Sequence, residues 1–491
     1  MAAMLALLPI ALLVGLMAGL RWSAAVAGLV CALVTAVVAI LGFGHGADGL
    51  APALLGPAAE AAFTALSIVW IVFGALALHE YQLRGGGIAA LGRWLAGFGG
   101  DRRVAALLVA WFFALFLEGA AGFGTPVALA APLLVGLGFP PATALVMVLV
   151  GHAAGVSFGA LGTPMVPLLA AARVDPAALS LAILLLHAAL AWALLALVLR
   201  FAGARRTGPW VLAGTALFFL PAALLAWWVG PELPTLGGAL VGAGLFVLLV
   251  RRKGGGGADG GGRDLLRAAL PYLFAVALVL ATRLVPPVRE ALGGVTLGWT
   301  LPGGYAGEVA PLFHPGTLLV AALVLAAAVR PGGAAMLLPS ARGAAARLPR
   351  VLLALVAVLL VARLMAHSGM IAALAEGAGR ALGPAWPLAA PLAAAAGSFV
   401  TGSATASNIL LADLQIEIAA AAGLSPLLVA AAQGFGAAIG NIVAPHNIVA
   451  GAATVGLTGS EGKVLKRTLP VCLLYAAAGG ALLLAAQAAW S

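Results

Sequence analysis

Residues 118–126 read EGAAGFGTP: a carboxylate, three glycines, a threonine and a proline, set between the uncharged apolar runs 104–117 and 127–137. An ionisable side chain within a bilayer costs about 2.5–3.5 kcal/mol to insert, so Glu118 is a candidate for function by default, above all as a group that loads and releases a proton. A second stretch, 397–408, reads GSFVTGSATASN and carries five hydroxyls and one amide. Hydroxyls, an amide and exposed backbone N–H groups are suitable donors for a small carboxylate, especially at the N-terminus of a half-helix.

Other polar residues lie in the apolar stretches. Arg363, in LLVARLMAHSGM, carries a guanidinium that can bind a carboxylate bidentately. It stands about 20 Å along its helix from Arg350, too deep for easy snorkelling to that end. His152 and His446 are candidates for relaying protons. Asp413, Gln415 and Glu417 follow the second polar stretch and are read either as pathway lining or as part of a vestibule. Glu60 has no visible partner, and His187 reads as a packed interior residue.

Such groups need a scaffold, and composition shows which. Hydrophobic residues make up 64% of the 491 and charged ones 8%, against about 25% charged in soluble domains. Mean hydropathy is +1.16. Apolar runs of the roughly 20 residues that cross a bilayer recur, among them 4–20, 24–43, 178–199, 209–229, 351–365 and 469–486. The chain reads as an all-α polytopic membrane protein, one integral domain over 1–491. Small residues dominate its runs and favour close helix–helix approach. No Lys or Arg precedes 4–20, as a secretory signal would require, so that run is expected to stay as a span. Cys31 and Cys472 read as small buried hydrophobes, with no disulfide, metal site or cofactor expected.

The net charge of +10 raises nucleic acid as a partner, but its distribution argues against one. Basic residues cluster between apolar runs: Arg84, Arg93, Arg102 and Arg103; Arg200, Arg205 and Arg206; Arg251, Arg252 and Lys253; Arg342, Arg347 and Arg350; Lys463, Lys466 and Arg467. That is the positive-inside pattern, and threading the chain through it gives about 12–14 spans with both termini outside. The loops around His45 and Asp48, 231–234 and 293–316 fall outside. Residues 254–262, GGGGADGGG, form the body of a flexible inner linker, 251–263. No GxxxxGK[ST] loop occurs, so nothing in the chain points to ATP.

Two pairs of stretches are related. GHAAGVSFGALGTPMV (151–166) resembles AQGFGAAIGNIVAPHNI (432–448); a shift of 281 pairs Gly155 with Gly436, Gly159 with Gly440, Pro164 with Pro445 and His152 with Gln433. GFGTPVAL (122–129) resembles GSATASNIL (402–410) at a shift of 280. The first unit, 104–168, starts inside and the second, 384–449, starts outside. Such inverted repeats hold helices broken near the midplane, whose ends and free backbone groups bind substrate and ions. Irregular backbone at that depth must be buried in protein or line a wet cavity.

At these residues EGAAGFGTPVALAAPLLVGLGF, FGALGTP and TGSATASNILLADLQ resemble the bacterial lactate permease family, and the similarity runs over nearly the whole chain. The resemblance implies a proton-coupled secondary transporter of a small monocarboxylate, lactate or glycolate, in the bacterial cytoplasmic membrane. Its core elements would be 118–126 and 401–408. Two positions depart from the family: Ala404 stands where an acidic residue is common, and Asn441 near a common lysine. Both charges are missing together, and Arg363 could replace the cation. On this reading Glu118 and His152 couple the proton. Substrate binding falls to Gly122, Gly124, Thr125 and Thr163, to Thr401, Ser403, Thr405, Ser407 and Asn408, and to Arg363, Gln433, Asn441 and His446.

Sodium is the alternative coupling ion, since broken helices rich in carbonyls and hydroxyls also hold it. An intramembrane enzyme is the alternative of a different class, with GVSFG and His152 a loose lookalike of a Ser/His pair. No GxSxG or HExxH supports it. The lipid bilayer, the monocarboxylate and the coupling ion are the expected partners, and oligomeric state is not legible.

Overall fold

The computed structural model describes every residue except Met1, Arg21, Asp48, Gly99, Phe123, Arg205, Arg206, 253–261, Gly459 and Ser491. Most of the expected linker and its Lys253 therefore lie outside the described residues, as do Asp48, Arg205 and Arg206. The helices on either side are Pro234–Arg252 and Gly262–Leu284.

Among the described residues, 11 helices are long and apolar enough to cross a membrane, and Ala2–Met17, Thr125–Gly136 and Pro315–Val329 are shorter apolar helices. That agrees with an all-α polytopic protein of 12–14 spans. The departure is a β-hairpin within 293–316, Leu297–Leu301 paired antiparallel with Tyr305–Val309. Gly303 and Gly304, both at positive φ, turn the chain between its strands. Five residues per strand give too little alternation to stand out in sequence.

Burial sorts the spans. Ala24–Phe43 and Gly208–Trp228 are each 33% buried along their apolar windows, as helices largely facing lipid must be. Arg102–Ala120 is 94% buried, Pro141–Gly162 100% and Pro426–Val443 78%. These three enclosed spans carry irregular backbone or run up to it: a π-turn at Leu107–Phe113 and 3-10 turns at Ala153–Phe158 and Asn441–Val443. Lipid cannot satisfy the backbone groups freed there, so protein must cover them.

Two ionic clusters stand a bilayer's thickness apart on one helix, Leu50–Arg84. Glu60 and Glu80 stand twenty residues apart on it, about 30 Å along its axis, which matches the hydrocarbon thickness. At one end Arg347 bonds Glu80 closely and Arg84 lies 3.7 Å away. At the other, Glu60 accepts from His367 Nε2 at 2.8 Å and from the hairpin N–H of Ala306 at 3.3 Å. Glu60 is thus paired, by partners too distant in sequence to be seen from its neighbours. Asp101 caps Arg102–Ala106 and bonds the Arg103 guanidinium at 2.7 Å, which holds its carboxyl below the usual carboxylate range.

Apolar side chains gather into two main clusters. One is built on both broken-helix regions and includes Trp111, Phe158, Phe218 and Phe435. The other is built on Ala2–Val14, Ala24–Phe43, Leu50–Arg84 and Leu348–His367. Inside the first cluster the two regions exchange arms. Thr125–Gly136 packs on Pro445–Thr454, with Gly451 against Val127, while Met165–Ala172 packs on Ala404–Ala422. Glycines permit these approaches: a Cβ on Gly440 would strike the carbonyl of Ala395, and one on Gly436 that of Pro391.

Candidate functional site

Four breaks meet in the first cluster. Arg102–Ala120 stops at Ala121, Gly122 (φ 58°) and Gly124 (φ 78°) reverse the backbone, and Thr125–Gly136 starts with Pro126 in its first turn. Pro141–His152 tightens into the 3-10 turn Ala153–Phe158 and then turns left-handed through Ala160 (φ 42°), Leu161 (φ 50°) and Gly162 (φ 78°). In the second region Trp386–Thr401 ends at Gly402 (φ 78°), and Ser403 Oγ caps Ala404–Ala422 by accepting from the Ala406 N–H at 3.4 Å. Pro426–Gly440 runs into Asn441–Val443, and Pro445–Thr454 resumes after an extended Ala444.

The breaks line a partly open cavity of about 60 Å³, several times the roughly 10–15 Å³ that one water occupies on that measure. Glu118, Gly122 and Gly124 form one wall, and Gly159, Ala160, Thr163 and Pro164 a second. Gly402, Ser403, Ala404 and Thr405 form the third, and Asn441, His446 and Asn447 the fourth. Among the described lining residues Glu118 is the carboxylate, and no Lys or Arg is present. The N-termini of two half-helices, at Thr125 and Ala404, adjoin it and contribute partial positive charge.

Glu118 is 6% exposed. Glycine makes room for its carboxyl: a Cβ on Gly159 would collide with Oε1, and one on Gly122 would stand 3.5 Å from it. Behind it His152 is held by a 2.6 Å bond between Nδ1 and the carbonyl of Val148. A carbonyl only accepts, so Nδ1 carries a proton. Nε2, the acceptor in neutral imidazole, faces Glu118 Oε2 at 3.9 Å. At that distance the two groups are not hydrogen-bonded to each other.

Of the other residues expected from the sequence, Gly122, Gly124, Thr163, Ser403, Thr405, Asn441 and His446 line the cavity. Thr125 is buried just behind Gly124. Thr401 donates to the carbonyl of Gly397 at 2.8 Å and Ser407 to that of Ala394 at 2.8 Å. Asn408 reaches across to the other region, its Nδ2 donating to the carbonyl of Pro164 at 2.8 Å. Gln433 donates to Asn408 Oδ1 at 3.1 Å and accepts from Gln415 Nε2 at 3.1 Å, while Gln415 Oε1 accepts from Trp386 at 2.7 Å. Ser407, Asn408, Gln415 and Gln433 thus form a buried chain behind the cavity that fixes the shape of the second break. Arg363 lies away from the cavity, its Nε 3.8 Å from Glu60 Oε2. His187 is a packed interior residue, bonded to Ser157 Oγ at 3.1 Å and Tyr475 Oη at 3.0 Å.

Asn447 is a cavity residue that sequence reasoning passed over. Its signal was faint: an amide in the first turn after the helix-starting Pro445, one residue beyond His446.

Similarity to known proteins runs along the same stretches. The family described as L-lactate permease matches residues 2–299 and 306–488. An L-lactate permease of Streptococcus iniae is 28% identical over 87% of this chain and 93% of its own length. One of Bacillus subtilis (strain 168) is 28% identical over 96% of this chain and 93% of its own, and one of Escherichia coli (strain K12) is 28% identical over 83% and 82%. The crystal structure of the Alcanivorax borkumensis YdaH transporter is a loose likeness, with a TM-score of 0.47 and 17% identity over 89% of this chain and 88% of that one. This multi-pass membrane chain belongs to the L-lactate permease family.

Proposed function

We propose that the chain is a symporter of L-lactate and a proton, with the cavity between the four breaks as the site of both. The supporting observation is that a carboxyl, Glu118, faces the cavity and no described Lys or Arg does. A second carboxylate beside an ionised Glu118 would be repelled, whereas two carboxyls sharing a proton are not. The hydroxyls of Ser403 and Thr405 and the half-helix N-terminus behind them suit the substrate carboxylate. His152, 3.9 Å from Glu118, would take the proton onward.

The two regions read as inverted repeats in a bacterial cytoplasmic membrane, with both termini outside. Arg84 and Arg347, from loops expected inside, meet at Glu80, which suits this orientation.

The test is uptake of radiolabelled L-lactate into proteoliposomes under an inward proton gradient without sodium. Wild type is expected to accumulate lactate, with uptake indifferent to a potassium–valinomycin potential because anion and proton cancel. Glu118→Gln is expected to lose accumulation and keep lactate exchange. Accumulation that requires sodium would overturn the proton and assign the coupling to that ion. Lactate uptake absent under every gradient would overturn the substrate.

A further inference from the structure

Asn447 is 1% exposed and lines the cavity, on the first turn of Pro445–Thr454. Its Nδ2 donates to the backbone carbonyl of Asn441 at 3.2 Å and to Asn441 Oδ1 at 2.5 Å. The backbone carbonyl can only accept, so it decides which end of the Asn447 amide is nitrogen. The other end, Oδ1, is therefore an acceptor, and among the described residues it is buried with no donor. Buried polar atoms are almost always bonded, and an orphan is costly. A donor arriving with the substrate would satisfy it.

Opposite stands Gly124, at φ 78°, where a Cβ would sit 3.2 Å from Asn447 Oδ1. Glycine at that point serves the reversed backbone, and a larger residue would press on the carbonyl. Among the other described polar groups on the lining, which include Glu118, Thr163 and His446, the Ser403 and Thr405 hydroxyls and the Asn441 amide can donate to a carboxylate. Oδ1 of Asn447 cannot. It calls for a substrate O–H at a carbon next to the carboxylate.

We infer that Asn447 Oδ1 accepts the 2-hydroxyl of the substrate and so determines selection of 2-hydroxymonocarboxylates over their keto and deoxy analogues. The inference rests on the monocarboxylate reading above. A site built around a substrate hydroxyl rejects an analogue that leaves its buried partner unpaired, and here the expected discrimination is about 10- to 100-fold.

The experiment is uptake of labelled L-lactate in sodium-free proteoliposomes, competed by glycolate, pyruvate, propionate and 2-fluoropropionate, with uptake of labelled propionate alongside. Wild type is expected to favour lactate and glycolate over the other three by about 10- to 100-fold. Fluorine fills the place of the hydroxyl and cannot donate, so 2-fluoropropionate should group with propionate. Asn447→Leu, which removes the acceptor at similar volume, is expected to weaken lactate by a similar factor, leave propionate unchanged or improved, and bring their ratio towards one. Equal handling of lactate, propionate and 2-fluoropropionate by wild type would overturn the inference and leave the monocarboxylate reading intact. Equal loss of lactate and propionate in Asn447→Leu would overturn it too, as would an unchanged ratio. If the variant does not fold, the wild-type fluoro comparison can still overturn the inference. Absence of uptake of any of these acids would remove the monocarboxylate reading and this assignment together.

Discussion

Gly159 and Glu118 show how closely the site is fitted. The backbone of Gly159 sits at φ −62°, a conformation any residue can adopt, so its requirement for glycine is steric alone. A methyl there runs into Glu118 Oε1. Gly159→Ala is therefore expected to destabilise the protein by about 1–3 kcal/mol, as overpacking does, and, on the proposed symport, to abolish proton-driven accumulation by displacing the carboxyl. Shortening the acid in Gly159→Ala/Glu118→Asp should recover most of the loss in melting temperature, measured in detergent as a double-mutant cycle. Additive losses would mean that the two groups do not touch. At this scale the sequence was legible where a residue was out of keeping with its surroundings. Glu118 in an apolar run and the hydroxyls after Gly397 were such cases. Ser407, Asn408 and Gln433 were equally conspicuous, yet their hydrogen bonds spend them on holding the second break. Asn447 was hidden for the opposite reason: one amide beside a histidine has no pattern, and its orphaned Oδ1 exists only once Asn441 has taken the other end.

Among the elements, the break after Phe158 is the most strained. Ala160 and Leu161 both occupy the left-handed region ahead of Gly162, where each L-residue costs roughly 1–2 kcal/mol. The Thr163 hydroxyl ties the turn by donating to the carbonyl of Ala160 at 2.6 Å, and Ala160 lines the cavity. Strain of this kind persists where the surroundings over-determine the backbone, and it gathers at functional sites. Ala160→Gly should relieve part of it, raising stability by about 0.5–1 kcal/mol once the entropy of glycine is set against it. Ala160→Val should lower stability, because a β-branched residue fits that region worst. Thermal melts of the two variants check the sign; an unchanged or lower melting temperature for Ala160→Gly would mean that the turn is not strained. Breaks at Gly122, Gly124 and Gly402 were legible because glycine and proline punctuate helices. The turn at Ala160 was not, since neither residue advertises a positive φ, and the hairpin escaped for want of length.

For the whole molecule, the sequence showed the class and the recurrence of spans, because hydropathy survives in one dimension. It did not show that the regions exchange arms, since that depends on contacts more than two hundred residues apart, such as Asn408 Nδ2 with the carbonyl of Pro164. The exchange bears on how the transporter moves. Separating the regions would break that bond and pull Gly451 away from Val127, leaving buried polar groups unpaired at a cost of about 1–3 kcal/mol each. Moving both together past the second apolar cluster, built on Leu50–Arg84 and Leu348–His367, breaks none of these contacts. The two regions should therefore travel as one body. A cross-link between them tests this. A Cβ on Gly451 would lie 3.4 Å from Val127 Cβ, close to the 3.5–4.5 Å of a disulfide, with the end of the Leu145 side chain giving way. In Val127→Cys/Gly451→Cys, with Cys31 and Cys472 changed to Ala, oxidation is expected to form the bond and lactate uptake to continue. Uptake that stops on oxidation and returns with dithiothreitol would show instead that the arms must part in every cycle, and that the cavity opens between the two regions.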